Sequence, residues 1–138
     1  MEIRRVGIIG AGQMGNGIAH VFALAGYDVV LSDIRQEALD AAVARIEKNT
    51  ARQVSRGAIE EAVRDAALGR ISTTLDLAEV GPSDLVIEAA TEDEALKNRV
   101  FEGLAPHLGP ETILTSNTSS ISITRLASRT DRPERFMG

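Results

Sequence analysis

The sequence predicts an α/β fold in which a doubly wound, mainly parallel sheet carries an inserted helical hairpin after its second strand. Three observations predict it. Short apolar runs alternate with segments of helical periodicity almost throughout the chain, the order expected of a parallel sheet with helices on its faces. Hydrophobic residues make up 43% of the 138 residues but aromatics only 3%. The core must therefore be built from Val, Ile, Leu and Ala, which suits strands buried on both faces. Finally, a glycine turn, Gly10-Ala11-Gly12-Gln13-Met14-Gly15, stands between the first apolar run and the first helical segment.

The elements follow in order. Val6-Gly7-Ile8-Ile9 reads as a buried strand. Met14 to Ala25 reads as a helix with Ile18, Val21, Phe22 and Ala25 at helical spacing, and Gly26 stands where a helix ends. Tyr27 to Ser32 is the second strand, with Asp33 at its carboxyl end. From Gln36 to about Ser55 apolar residues (Leu39, Val43, Ile46, Val54) recur among charges; Gly57 breaks the pattern and Ala58 to Leu68 resumes it. These two segments form the inserted hairpin, about residues 36–69. Ile71 to Thr74 is a short third strand placed toward an edge. Leu75 to Val80 is a helical turn closed by Gly81-Pro82. Leu85-Val86-Ile87 is the next strand, and Asp93 to Leu104 a helix stopped by Pro106. Thr112 to Thr115 is a further strand, Ser122 caps a helix through Ala127, and Arg135 to Gly138 begins a last strand.

Composition narrows the function classes. There are no cysteines, which removes disulfides, thiolate metal sites and a cysteine nucleophile. No His, Asp and Glu grouping has metal-ligand spacing, so no metal is expected. Net charge is −5 and no basic run interleaves with aromatics, so nucleic acid is not expected as a partner. No segment has the length of a membrane-spanning helix, and the amino terminus lacks the apolar stretch of a secretory signal. A cytoplasmic location with no membrane partner is the expectation.

The glycine turn gains its meaning from context: a strand before, a helix after, and an acid closing the next strand. That is the dinucleotide fingerprint of a Rossmann sheet. Gly10 permits the tight turn, Gly12 lets a pyrophosphate approach the backbone, and Gly15 lets the helix pack close to the sheet. Gln13 and Met14 open that helix, whose N–H groups and partial positive charge favour the pyrophosphate. Asp33 accepts hydrogen bonds from ribose hydroxyls and repels a 2′-phosphate, which favours NAD. Arg35 nearby keeps the phosphorylated cofactor as the alternative. Glu88, Thr91, Glu92, Asn117, Thr118 and Ser119 all follow strands on the carboxyl side, where ligands bind in such sheets.

Val6 to Ala19, Asp84 to Glu92, Ser116-Asn117-Thr118-Ser119-Ser120-Ile121-Ser122-Ile123 and Arg132 to Gly138 together resemble the 3-hydroxyacyl-CoA dehydrogenases. The resemblance covers essentially the whole chain. It implies an NAD-binding domain over residues 1–138, from an oxidoreductase that interconverts 3-hydroxyacyl-CoA and 3-oxoacyl-CoA by hydride transfer. It assigns NAD contacts to Gly10, Gly12, Gly15 and Asp33, and nicotinamide-side positions to Ala89, Glu92 and Lys97. Ser119 matches a serine that bonds the substrate's reacting oxygen or the nicotinamide side, with Asn117 supporting the same turn. Asn49 and Arg56 match CoA-contacting positions on the hairpin, and Arg52 stands one turn before Arg56. As charges on an exposed helix, Arg52 and Arg56 also read as solvated surface.

The resemblance places the family's catalytic histidine and its glutamate partner beyond the segment matching Arg135 to Gly138, and its helical substrate and dimerisation domain later still. His20 and His107 do not stand at that motif. The expectation is a chain that binds NAD with little or no turnover, takes acyl-CoA only as part of a longer parent, and self-associates as a homo-oligomer through apolar surface left bare. A stand-alone nucleotide-binding module without catalysis, and a dehydrogenase of small hydroxy acids or sugar derivatives, are the competing readings.

Overall fold

The computed structural model describes residues 3–89, 99–100, 102–108, 112–116 and 136–137. Six strands, β1 (Arg5–Ile9), β2 (Asp28–Ser32), β3 (Ile71–Thr74), β4 (Leu85–Glu88), β5 (Ile113–Ser116) and β6 (Phe136–Met137), form one sheet in the order β3-β2-β1-β4-β5-β6. Every pairing is parallel. β3 lies at the edge, as its short polar sequence predicts. The helices are α1 (Gln13–Leu24), α2 (Gln36–Ser55), α3 (Glu61–Gly69) and α4 (Leu77–Val80). Residues 99–100 and 102–104 are helical and lead into a single 3-10 turn, Ala105–His107. The helix predicted over Ser122 to Ala127 lies outside the described residues.

The period-2 geometry of β1 divides the core in two. Val6 and Ile8 face α1 and pack with Ala19, Ala23, Val29, Leu31 and Ile87. Ile9 faces the other side with Val30, Val80, Val86, Leu104 and Leu114. Gly7 is required there, because a Cβ would lie 2.7 Å from Val80 Cγ1 and 2.8 Å from Ser83 Oγ.

Predicted helix ends move by a few residues for identifiable reasons. α1 and α2 both finish in a Schellman motif. After α1, Gly26 takes φ +102° and Tyr27 N–H donates to Phe22 O at 3.1 Å, while the two rings meet edge-to-face at 5.4 Å. After α2, Gly57 takes φ +74° and Ala58 N–H donates to Gln53 O at 2.9 Å. Ala58 is thus consumed in closing α2, and α3 starts at Glu61 rather than at Ala58. α4 starts at Leu77 rather than Leu75, because the Asp76 carboxylate caps it by accepting from Ala78 N–H at 2.9 Å.

The hairpin is tied by polar groups that its apolar periodicity does not show. Arg64 of α3 donates to the buried Thr50 hydroxyl and to Glu47 O, each at 3.1 Å. Asn16 Nδ2 donates to Ala42 O at 3.1 Å, and His20 Nε2 meets Gln53 Oε1 at 3.0 Å, so α1 grips α2 at two levels.

Two stability predictions arise here. Ser83 Oγ is buried with no hydrogen-bond partner among the described residues. Ser83→Ala is therefore expected to leave stability unchanged or to raise it by about 1 kcal/mol. A lower urea midpoint would show that the hydroxyl has a partner. Asp84 holds the chain entry to β1, accepting from Arg4 and Arg5 backbone N–H at 2.9 and 3.1 Å. Those two bonds lower its pKa below the ordinary carboxylate value. A depressed folded-state pKa means that stability is present above the unfolded carboxylate value and is lost as pH falls through the folded one. Asp84→Asn should flatten the acid limb of a melting-temperature profile, and an unaltered acid limb would reject that role.

Candidate functional site

The strand order reverses between β1 and β4, which opens a crevice at their carboxyl ends. The glycine turn stands at that point. Gly10 takes φ +105°, a conformation that favours glycine, and its N–H donates to Ser32 O at 2.8 Å. Gly12 is the N-cap of α1 and has no side chain to bond the first turn, and no acidic residue stands in that turn. The end of the helix is left to an external anion.

The three glycines differ in what the fold asks of them. A Cβ on Gly15 would fall on the carbonyl oxygen of Gly10, so the packing of α1 on the turn demands glycine. A Cβ on Gly12 would meet no protein atom within 4 Å. The fold leaves open space beside Gly12, as a cradle for a close-approaching group requires.

Asp33, half-buried beyond β2, does more than the sequence shows. Its Oδ2 accepts from Ala11 N–H at 2.9 Å and its Oδ1 from Arg35 N–H at 3.0 Å. The carboxylate therefore holds the glycine turn in place. Two N–H groups use about half of its roughly four acceptor positions, which leaves room for two hydroxyls. Arg35 is 65% exposed and reaches Glu37 at 4.0 Å.

Beside Asp33 lies a cavity of about 330 Å³ lined mainly by apolar groups, among them Ile9, Ile34, Ala38, Leu75 and Leu77. Ile34 is 86% exposed and Leu75 55%. Sequence reasoning missed both; the available signal was a lone apolar residue just past a strand's carboxyl end. Ala89 is fixed beside the turn by donating its N–H to Ile9 O at 2.8 Å. Glu88, fully buried at the end of β4, is in register with Ile9 and Ser116.

Of the other predicted residues, Gln13 and Met14 are exposed in the first turn of α1. Asn49 and Arg52 in the carboxyl half of α2 and Arg56 at its C-cap share one side, with both arginines exposed and without an ion-pair partner among the described residues. They stand apart from the Asp33 cavity. Glu92, Lys97, Asn117 and Ser119 lie outside the described residues, as do Thr91 and Thr118. His20 is spent on Gln53, and His107 packs against Gly81 ahead of β4. No group of three or more His, Cys, Asp or Glu that could hold a metal occurs among the described residues, and no helix among them is long and apolar enough to cross a membrane.

Comparison with known proteins agrees with this geometry. The family model "3-hydroxyacyl-CoA dehydrogenase, NAD binding domain" matches residues 5–138. A 3-hydroxybutyryl-CoA dehydrogenase of Bradyrhizobium diazoefficiens is 54% identical over 99% of this chain and 46% of its own length. The crystal structure of (S)-3-hydroxybutyryl-CoA dehydrogenase from Ralstonia eutropha superposes with a TM-score of 0.93 at 42% identity, over 98% of this chain and 48% of that one. A 3-hydroxybutyryl-CoA dehydrogenase structure from Escherichia coli K12 gives 0.95 at 40% identity, over 99% and 29%. The chain spans about half the length of the curated 3-hydroxybutyryl-CoA dehydrogenases it matches. Matched over nearly its whole length by that family model, the chain belongs to the family of 3-hydroxyacyl-CoA dehydrogenase NAD-binding domains.

Proposed function

We propose that this chain is the cofactor-holding half of an enzyme that interconverts 3-hydroxyacyl-CoA and 3-oxoacyl-CoA, and that by itself it binds NAD with little or no turnover. The observation that carries the reading is the Asp33 carboxylate, which fixes the glycine turn at the strand-order reversal and keeps acceptor capacity for ribose hydroxyls. Bound NAD would supply the hydride acceptor.

The chain's own residues do the rest. Gly12 admits the pyrophosphate to the first turn of α1, where Gln13 and Met14 border it. Asp33 takes the adenosine ribose, and Ile34 and Leu75 flank the apolar cavity that fits the adenine. Ala89 bounds the nicotinamide side. By resemblance Glu92, Lys97, Asn117 and Ser119 complete that side, with Ser119 placed to bond the reacting oxygen. Asn49, Arg52 and Arg56 present a polar, cationic edge suited to the phosphates of CoA.

Alcohol oxidation needs a base for the hydroxyl proton. His20 bonds Gln53 where α1 meets α2, and His107 precedes the amino end of β5, so neither stands at the carboxyl ends of β4 and β5. NADH should bind saturably in a fluorescence titration. Its oxidation by acetoacetyl-CoA should run at least about a hundredfold below that of a full-length relative, the usual worth of a positioned acid–base group. Arg52→Ala with Arg56→Ala should weaken CoA binding and leave NADH affinity alone. Turnover at the full-length rate would defeat the proposal, and NADH binding without any CoA affinity would favour a stand-alone nucleotide-binding module.

A further inference from the structure

Among the described residues that line the cavity beyond β2, Asp33 and Arg35 are the only charged ones. The backbone of Arg35 is pinned, because its N–H donates to Asp33 Oδ1 at 3.0 Å. Its guanidinium turns elsewhere. Arg35 Nη1 lies 4.0 Å from Glu37 Oε1, and Glu37 is 76% exposed. The cavity's one cation is thus shared with a carboxylate that does not line the cavity.

The place of that cation matters. In sheets of this kind an arginine just past the second strand is the group that accommodates a 2′-phosphate. A guanidinium suits the task, since its planar fork binds phosphate oxygens two at a time. Here the fork is already engaged by a negative charge. Glu37 has a simpler role open to it, as the acidic residue in the first turn of α2, where the positive end of the helix favours an anion. That role needs only the charge of Glu37 and makes no use of Arg35. An exposed ion pair adds little to stability, so the consequence of this one is sought in the cavity it borders.

We propose that Glu37 is a cofactor-selecting residue. By engaging Arg35 it withholds the guanidinium from a 2′-phosphate, so that two carboxylates discriminate against NADPH: Asp33 by repulsion and Glu37 by holding the cation. The proposal rests on the reading that the adenosine ribose of a dinucleotide sits at Asp33. NADH carries no phosphate at that position, so its affinity is indifferent to the pair.

Glu37→Gln keeps the size of the side chain and removes its charge. Dissociation constants for NADH and NADPH are measured by fluorescence titration in the parent chain, Glu37→Gln, Arg35→Ala and the double variant. The same set in an Asp33→Asn background brings weak NADPH binding into range. Glu37→Gln is expected to tighten NADPH binding by up to about fivefold, the scale of an exposed ion pair, with NADH affinity unchanged within about twofold. The gain should fade at about 1 M salt, where exposed charges are screened beyond about 3 Å. In the Arg35→Ala background Glu37→Gln should give no gain, since the two residues act as one unit.

An equal gain with and without Arg35 would overturn the proposal, because Glu37 would then act by direct repulsion. So would a lowered urea midpoint in Glu37→Gln with the NADPH-to-NADH ratio unmoved, which would return Glu37 to the helix end alone. Failure of the parent to bind NADH would bring down the cofactor reading and this proposal together. NADH binding retained in every variant, with no NADPH gain in either background, would overturn this proposal and leave the cofactor reading standing.

Discussion

Gly12→Ala is expected to weaken NADH binding by about tenfold or more, the equivalent of roughly 1.4 kcal/mol, while the domain stays folded. The backbone at Gly12 (φ −69°, ψ −168°) is open to any residue, and a Cβ there meets no protein atom. The stability change should stay within about 1 kcal/mol, since alanine is a poorer N-cap but a stiffer unfolded chain. Gly15→Ala should behave in the opposite way. Its Cβ falls on the Gly10 carbonyl, so α1 must shift from the turn. Overpacking of this kind costs up to about 3 kcal/mol, and both the urea midpoint and NADH binding should fall. Measuring the two midpoints and the two dissociation constants side by side separates the glycine the fold needs from the glycine the ligand needs. If Gly12→Ala bound NADH as tightly as the parent, no ligand would approach the backbone there.

The second large effect is expected at Asp33. Removing the carboxylate in Asp33→Ala strips Ala11 N–H and Arg35 N–H of their acceptor and takes away the proposed ribose contacts in the same step. Hydrogen bonds to a charged group are worth about 1.5–3 kcal/mol, so NADH affinity should drop by about ten- to a hundredfold. Asp33→Asn keeps one acceptor oxygen and loses the charge. It should retain part of the NADH affinity and narrow the preference for NADH over NADPH, because the repulsion of a 2′-phosphate is gone and Arg35 remains. Titration of both variants with both cofactors checks this; an unchanged preference in Asp33→Asn would show that the charge does not select the cofactor.

The strands of this protein were legible because their apolar runs are short, rich in Val and Ile and separated by glycine or proline. The glycine turn was legible because each glycine stands at a spacing that a strand–turn–helix unit requires. The hairpin between β2 and β3 was equally plain, since Leu39, Val43 and Ile46 repeat at helical spacing among charges. Family membership followed from longer matches, of which Ser116 to Ser120 is far more specific than the glycine turn. What local patterns could not supply was the end of each helix. Ala58 looks helical by its neighbours and is instead the residue that closes the Schellman motif of α2.

By itself, then, the sequence determined the fold class, the cofactor turn, the acid at Asp33 and the family, because each depends on residues close together in the chain. The tertiary structure alone decided what those residues touch. It showed Asp33 holding the turn from 22 positions away at Ala11, Asn16 and His20 gripping α2, Ile34 and Leu75 brought from two strand ends to one cavity, and Val21 turned away from the core. Such contacts form only when the parallel strands align in register, and that alignment is set by the packing of the whole sheet rather than by any segment of it.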